Sequence, residues 1–147
     1  MTLTAFLLAA AVSLTGCATA IAGTPHPDPA VTAQLAKERD CRAAADRLIG
    51  AVSTMVKRVD GGGTSMGTVS AMMAELPIQD IGADIGRICG RDLVGPEYSR
   101  ILVEVNALSP ATWFGRMAQQ ATLTGLCSLD GTSIPINEQA RVVCAGR

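Results

Sequence analysis

CRAAADRLIGAVSTMVKRV, residues 41–59, decides how this chain folds. Its apolar positions Cys41, Ala45, Leu48, Val52, Met55 and Val59 recur at gaps of 4, 3, 4, 3 and 4. That spacing follows the turn of an α-helix and gathers all of them on one stripe. A half-buried strand would need alternation at every second position, which the stretch lacks. Arg42, Asp46 and Lys57 fall largely on the other faces, as do Lys37, Glu38 and Arg39 just upstream. A helix is therefore expected over about residues 30–59, with Asp28-Pro29 leading in and Asp60-Gly61-Gly62-Gly63 ending it. The stripe turns Cys41 toward the core, within reach of a partner on another helix.

Downstream the same period repeats. Thr64 or Ser65 can cap a second helix whose stripe is Met66, Val69, Met73 and Leu76, closed by Pro77. Ile78, Ile81, Ile85 and Ile88 make a third, with Cys89 beside the last. Glycines at 82, 86 and 90 lower helix propensity there but permit close packing. Gly95-Pro96 is expected to break the chain before a fourth stripe of Tyr98, Ile101, Leu102, Val105 and Leu108. Ser109-Pro110 reads as the start of a fifth helix through about Leu126. Asp130-Gly131 marks a turn, and the tail from Ser133 to Cys144 suits either a short helix or a strand. The fold class expected is all-α, a small disulfide-stapled bundle of about five helices with an irregular C-terminal tail.

Upstream of the bundle the chain changes character. Leu3 to Leu14 is an apolar run of signal-peptide length, too short to span a bilayer as a helix. Residues 1–16 carry no charged side chain, where a signal usually opens on Lys or Arg. The run ends in Leu14-Thr15-Gly16-Cys17. From Ala18 to Pro29 follows a segment with prolines at 25, 27 and 29, which excludes helix and suits an extended spacer. Leu14-Thr15-Gly16-Cys17 resembles the lipobox of bacterial lipoproteins. With Cys-Ala-Thr-Ala-Ile-Ala-Gly-Thr-Pro after it, the start is similar to many actinobacterial, especially mycobacterial, cell-envelope lipoproteins. The resemblance covers residues 1–29 only and brings no catalytic residue with it. It implies a signal peptide over 1–16, lipidation of Cys17, a tether over 17–29 and a helical domain over 30–147. It also implies a location on the extracytoplasmic face of the cell membrane, with Cys17 as the anchor.

Assigning Cys17 to lipid leaves Cys41, Cys89, Cys127 and Cys144 from a set of five. An even number in an exported domain is read as two disulfides, and three pairings are possible. Cys41–Cys89, joining two helices, and Cys127–Cys144, closing the tail onto the body, are favoured. Each would contribute about 3–4 kcal/mol by chain entropy.

Chemistry is harder to find. A zinc site is disfavoured, since there is no C-x-x-C pair and the one histidine, His26, lies in the proline spacer. A thioredoxin-like redox pair fails on the same spacing. Gly61-Gly62-Gly63-Thr64-Ser65-Met66-Gly67 is the one glycine-rich loop before a helix, but it lacks both the P-loop ending and the G-x-G-x-x-G spacing. It reads as a helix–helix connector. Glu75, Asp80 and Asp84 lie close in sequence, and Asp84 with Arg87 and Arg91 reads more simply as a solvated face. A serine or cysteine nucleophile has no histidine base in the folded domain. A Ser–Lys arrangement could draw only on Lys37 and Lys57, and no motif nominates a serine.

No catalytic residue, cofactor or metal is therefore expected. The net charge of −1 gives no basic stripe for nucleic acid. Two non-enzymatic readings remain: an interaction module that docks on another envelope protein, and a carrier of a small apolar ligand or lipid between its helices. Met55, Met66, Met72, Met73 and Met117 would give a carrier an adaptable lining, although methionine at helical spacing is also ordinary core filler. Trp113 and Phe114 either anchor the core or form a contact patch, and exposure of either favours binding.

Overall fold

The computed structural model describes residues 27–62, 65–75, 78–129 and 134–147, with the side chains of 78 and 79 left aside. Cys17, His26, Thr64, Pro77, Asp130-Gly131 and Ser133 lie outside the described residues. Five helices follow in order: α1 (Pro29–Gly62), α2 (Met66–Ala74), α3 (Ile78–Asn106), α4 (Trp113–Leu129) and α5 (Glu138–Cys144). Among the described residues there is no strand, as an all-α bundle requires.

The long first helix organises the rest. Asp28 starts it: its side chain accepts a hydrogen bond from the Ala30 amide at 2.8 Å, and its carbonyl accepts from the Thr32 amide at 3.0 Å. Pro29 follows at the position where a missing N–H costs nothing. The buried residues of α1 are Cys41, Ala44, Ala45, Leu48, Val52, Met55, Val56 and Val59. They are the expected stripe widened by Ala44 and Val56. Against them pack Ile85, Cys89, Tyr98, Ile101, Leu102 and Val105 of α3 and Ala118, Leu123 and Leu126 of α4. Val69 of α2 and Ala140 of α5 close the edges of the same core.

Ser65, one of the two caps expected for α2, accepts from the Thr68 amide at 3.2 Å. The break expected at Gly95-Pro96 is displaced. The non-helical residue is Gly90, at φ 65° and ψ −177°, a region open essentially to glycine alone. The expected third and fourth helices are therefore both present as the two halves of α3, meeting at a sharp kink at Gly90. Helix continues through Pro96, because Pro96 and Asp92, whose carbonyl loses its partner, are both exposed and water can satisfy that carbonyl. Gly95 is needed for a different reason: a Cβ there would lie 2.5 Å from the carbonyl oxygen of Pro135.

The start of α4 also moves, from Ser109-Pro110 to Trp113, with Thr112 as its cap. Asp60, at the far end of α1, accepts from the Ala111 amide at 3.0 Å and from both the Thr112 amide and hydroxyl at 2.7 Å. Thr112 Oγ1 in turn accepts from the Gly115 amide at 3.1 Å. Residues 109–112 are thereby held as a turn, so the helix begins only after them.

The C-terminal tail resolves into helix. Asn137 caps α5 by accepting from the Ala140 amide at 2.9 Å. Its own amide donates to Ser99 Oγ at 2.9 Å, and Ser99 donates to the Gly95 carbonyl at 2.8 Å. Of the three possible pairings, the cysteines adopt the two favoured ones. Cys41 and Cys89 bridge α1 and α3 with Cα atoms 4.7 Å apart, and Cys127 and Cys144 bridge α4 and α5 at 5.6 Å.

Candidate functional site

Polar side chains inside the bundle are spent on joining helices. The amide nitrogen of buried Gln119 reaches the carbonyls of Val105, Asn106 and Leu108 at 2.8, 3.1 and 2.7 Å, which satisfies the open end of α3. Tyr98 donates its hydroxyl to the Leu126 carbonyl at 2.5 Å. Half-buried Arg100 meets Asp46 and Glu97 at 2.8 Å and Glu104 at 3.1 Å, binding α3 to α1. Burial alone would lower the Arg100 pKa, but the hydrogen bonds it donates to Asp46, Glu97 and Glu104 outweigh it, so the guanidinium stays protonated. At the other end of α1 the Thr112 hydroxyl, then the Thr112 and Ala111 amides, hold the Asp60 carboxyl below its ordinary pKa.

The residues with chemical potential do not converge. Gly61 and Gly62 are exposed in the last turn of α1, and Ser65 is occupied as a helix cap. Glu75 faces Arg58 at 3.6 Å, and Asp84 pairs with Arg87 along the helix. Lys37 lies beside Gly90, whereas Lys57 is exposed on α1. Among the described residues no group of three or more His, Cys, Asp or Glu side chains could hold a metal ion. Among the described residues no helix is long and apolar enough to cross a membrane.

What the structure does present is surface. Met55 is buried and Met72, Met73 and Met117 pack against the core, while Met66 is exposed. Trp113 is 60% exposed, with the Phe114 ring edge-on to it at 5.0 Å. Both sit beside the Asp60 clamp, so they mark the end of the bundle reached by the C-terminus of α1. That end is roughly 45 Å of helix from Pro29. At the opposite end Val31 and Leu35 are exposed in the first turns of α1. A mainly apolar cleft of about 390 Å³ opens where Gly82, Gly86, Val94, Tyr98, Leu129 and Ile134 meet. A second, of about 500 Å³, lies between Leu35, Arg39 and Arg42 of α1 and Leu93, Pro96 and Glu97 of α3.

Sequence reasoning did not anticipate the Asp60 clamp or the Arg100 cluster, since Ala111 and Thr112 lie far from Asp60 in the chain and Asp46, which ties Arg100 to α1, lies far from Arg100. The exposed pair Val31 and Leu35 was legible in principle, because neither belongs to the stripe that begins at Cys41. No family model, curated protein or solved structure matches this chain.

Proposed function

We propose that this chain is a non-catalytic accessory module of a bacterial cell envelope, exported by residues 1–16 and tied to the membrane through a lipid on Cys17. In this reading the helical domain docks on an envelope protein through the end of the bundle that carries Trp113. The observation that carries it is the 60% exposure of Trp113, the single tryptophan of the chain, where the other described aromatic side chains are buried (Tyr98) or half-buried (Phe114). Exposed aromatic side chains of this kind are the usual anchors of protein interfaces. The position supports the reading too, because a tether at the opposite end of α1 leaves this end pointing away from the bilayer.

The test is photocrosslinking in the intact envelope with the reactive group at position 113, and at exposed Arg47 as a control. A single reproducible protein adduct at 113, absent at 47, is the expected result. Adducts with lipid alone, or the same adducts at both positions, would sink the docking reading.

The apolar cleft favours a second reading, in which it holds a small apolar ligand. A Cβ at Gly82 or Gly86 would meet nothing within 4 Å, so these glycines leave open space along the cleft wall. Native mass spectrometry of the purified chain should then find a bound lipid that Gly86→Leu displaces. A chain that purifies free of lipid would exclude this reading.

A further inference from the structure

The first three turns of α1 do not belong to the core. The buried residues of α1 begin at Cys41, and before it only Ala36 and Lys37 are half-buried, Lys37 beside Gly90 of α3. Residues 29–35, roughly 10 Å of helix, therefore run past the packed bundle, with Leu35 at the rim of the cleft facing Leu93 and Pro96. This overhang has local reasons to be helical: the Asp28 cap, Pro29 at the first position, and a Gln34–Glu38 side-chain hydrogen bond of 2.9 Å. Yet it carries Val31 and Leu35, 54% and 60% exposed and one turn apart on the same face. Further along that face the chain becomes charged at Glu38 and Arg42. Its apolar end is thus the end next to the tether.

We infer that this end of α1 lies against the bilayer surface, with Val31 and Leu35 entering the interface between headgroups and acyl chains. The inference rests on the proposed lipidation of Cys17. The spacer from Cys17 to Pro29 is at most about 43 Å long when fully extended, so the lipid holds the overhang close to the membrane at all times. At the high effective concentration a short tether creates, two apolar side chains suffice for a contact that they could not hold alone. Charge plays little part. Arg39 is paired with Asp40 at 3.1 Å, and Asp28 and Glu38 offset Lys37. The contact is therefore expected on zwitterionic phosphatidylcholine and insensitive to salt.

The single native tryptophan, Trp113, makes the test direct, because it sits at the opposite end of the bundle. The lipidated full-length mature chain is placed in phosphatidylcholine vesicles containing brominated acyl chains. Native Trp113 should keep its fluorescence. Leu35→Trp and, separately, Val31→Trp, both in a Trp113→Phe background, should be quenched. Bromine near the headgroup should quench more than bromine near the chain end, as for a helix lying about 5–10 Å deep. A chain that floats with the vesicles while both introduced indoles stay unquenched overturns the contact and leaves the anchor standing. Unquenched indoles whose emission shifts to the blue with protein concentration would assign the patch to a second copy, and also overturn it. A chain that does not float at all removes the anchor and the contact together.

Discussion

Asp60 and Gly115 illustrate how single residues couple distant parts of this chain. The Asp60 carboxylate stands in for the missing acceptors at the start of α4, fifty residues downstream of its own helix. Gly115 leaves room for it: an added Cβ would press on the Asp60 side chain and lie 2.7 Å from Pro110 Cβ. Gly115→Ala should therefore destabilise by about 1–3 kcal/mol in denaturant unfolding, although alanine is the better helix former. Gly86→Ala, whose Cβ meets nothing, should instead stabilise by about 0.5–1 kcal/mol. Opposite signs at two helical glycines would show that packing, and not propensity, decides each. Asp60 also implies a pH dependence. Its folded pKa is lowered, so its stabilisation is full above the unfolded carboxyl value of about 3.9 and is lost as pH falls through the folded value. Thermal scans should show Asp60→Asn melting below the native chain at neutral pH, with the gap closing in acid. A gap that persists unchanged in acid would mean the charge contributes nothing.

Among the elements, α3 and α5 depend most on their neighbours. The kink at Gly90 follows directly on Cys89, so the disulfide to α1 holds the chain at the point where the helix changes direction. Short α5 has seven residues and would not persist alone in water. It is held by the Cys127–Cys144 bridge and the Asn137–Ser99 hydrogen bond. Arg147 adds contacts to Asn106 and Gln120 beyond its end. Replacing Cys127 and Cys144 by serine should cost about 3 kcal/mol, judged from the loop the bridge closes. Hydrogen exchange should then show α5 losing protection while α1 and the second half of α3 keep theirs. Equal loss across all helices would mean that α5 is part of the cooperative core.

For the whole molecule, the long axis of α1 sets the functional layout. The overhang with Val31 and Leu35 is at one end and the Trp113 patch is at the other. A lipid on Cys17 would make the first end membrane-proximal and present the second to the envelope space. Cell fractionation checks this arrangement at its origin: Cys17→Ser should move the chain from the membrane to the soluble extracytoplasmic fraction. Continued membrane retention of that variant would require a different anchor.

The helical class, the approximate extent of α1 and six of the eight residues of its buried stripe (all but Ala44 and Val56) follow from sequence alone, because an amphipathic period of 3.6 has one cheap solution in water: to bury the apolar face. The four bundle cysteines read as two bridges from their even number once Cys17 is set aside for lipid, and the favoured pairing is the one formed. The tertiary structure decided what depends on meetings across the chain. Gly95-Pro96 looks like a break, yet helix continues through it, and the true break at Gly90 is a backbone state that no neighbouring residue type announces. Asp60 reads as the end of one helix and turns out to place the start of another. Whether Trp113 and Leu35 face solvent or core was likewise settled by which faces the other helices covered. Local pattern fixes which surface a helix must bury, and only the assembled bundle determines which surface is left over.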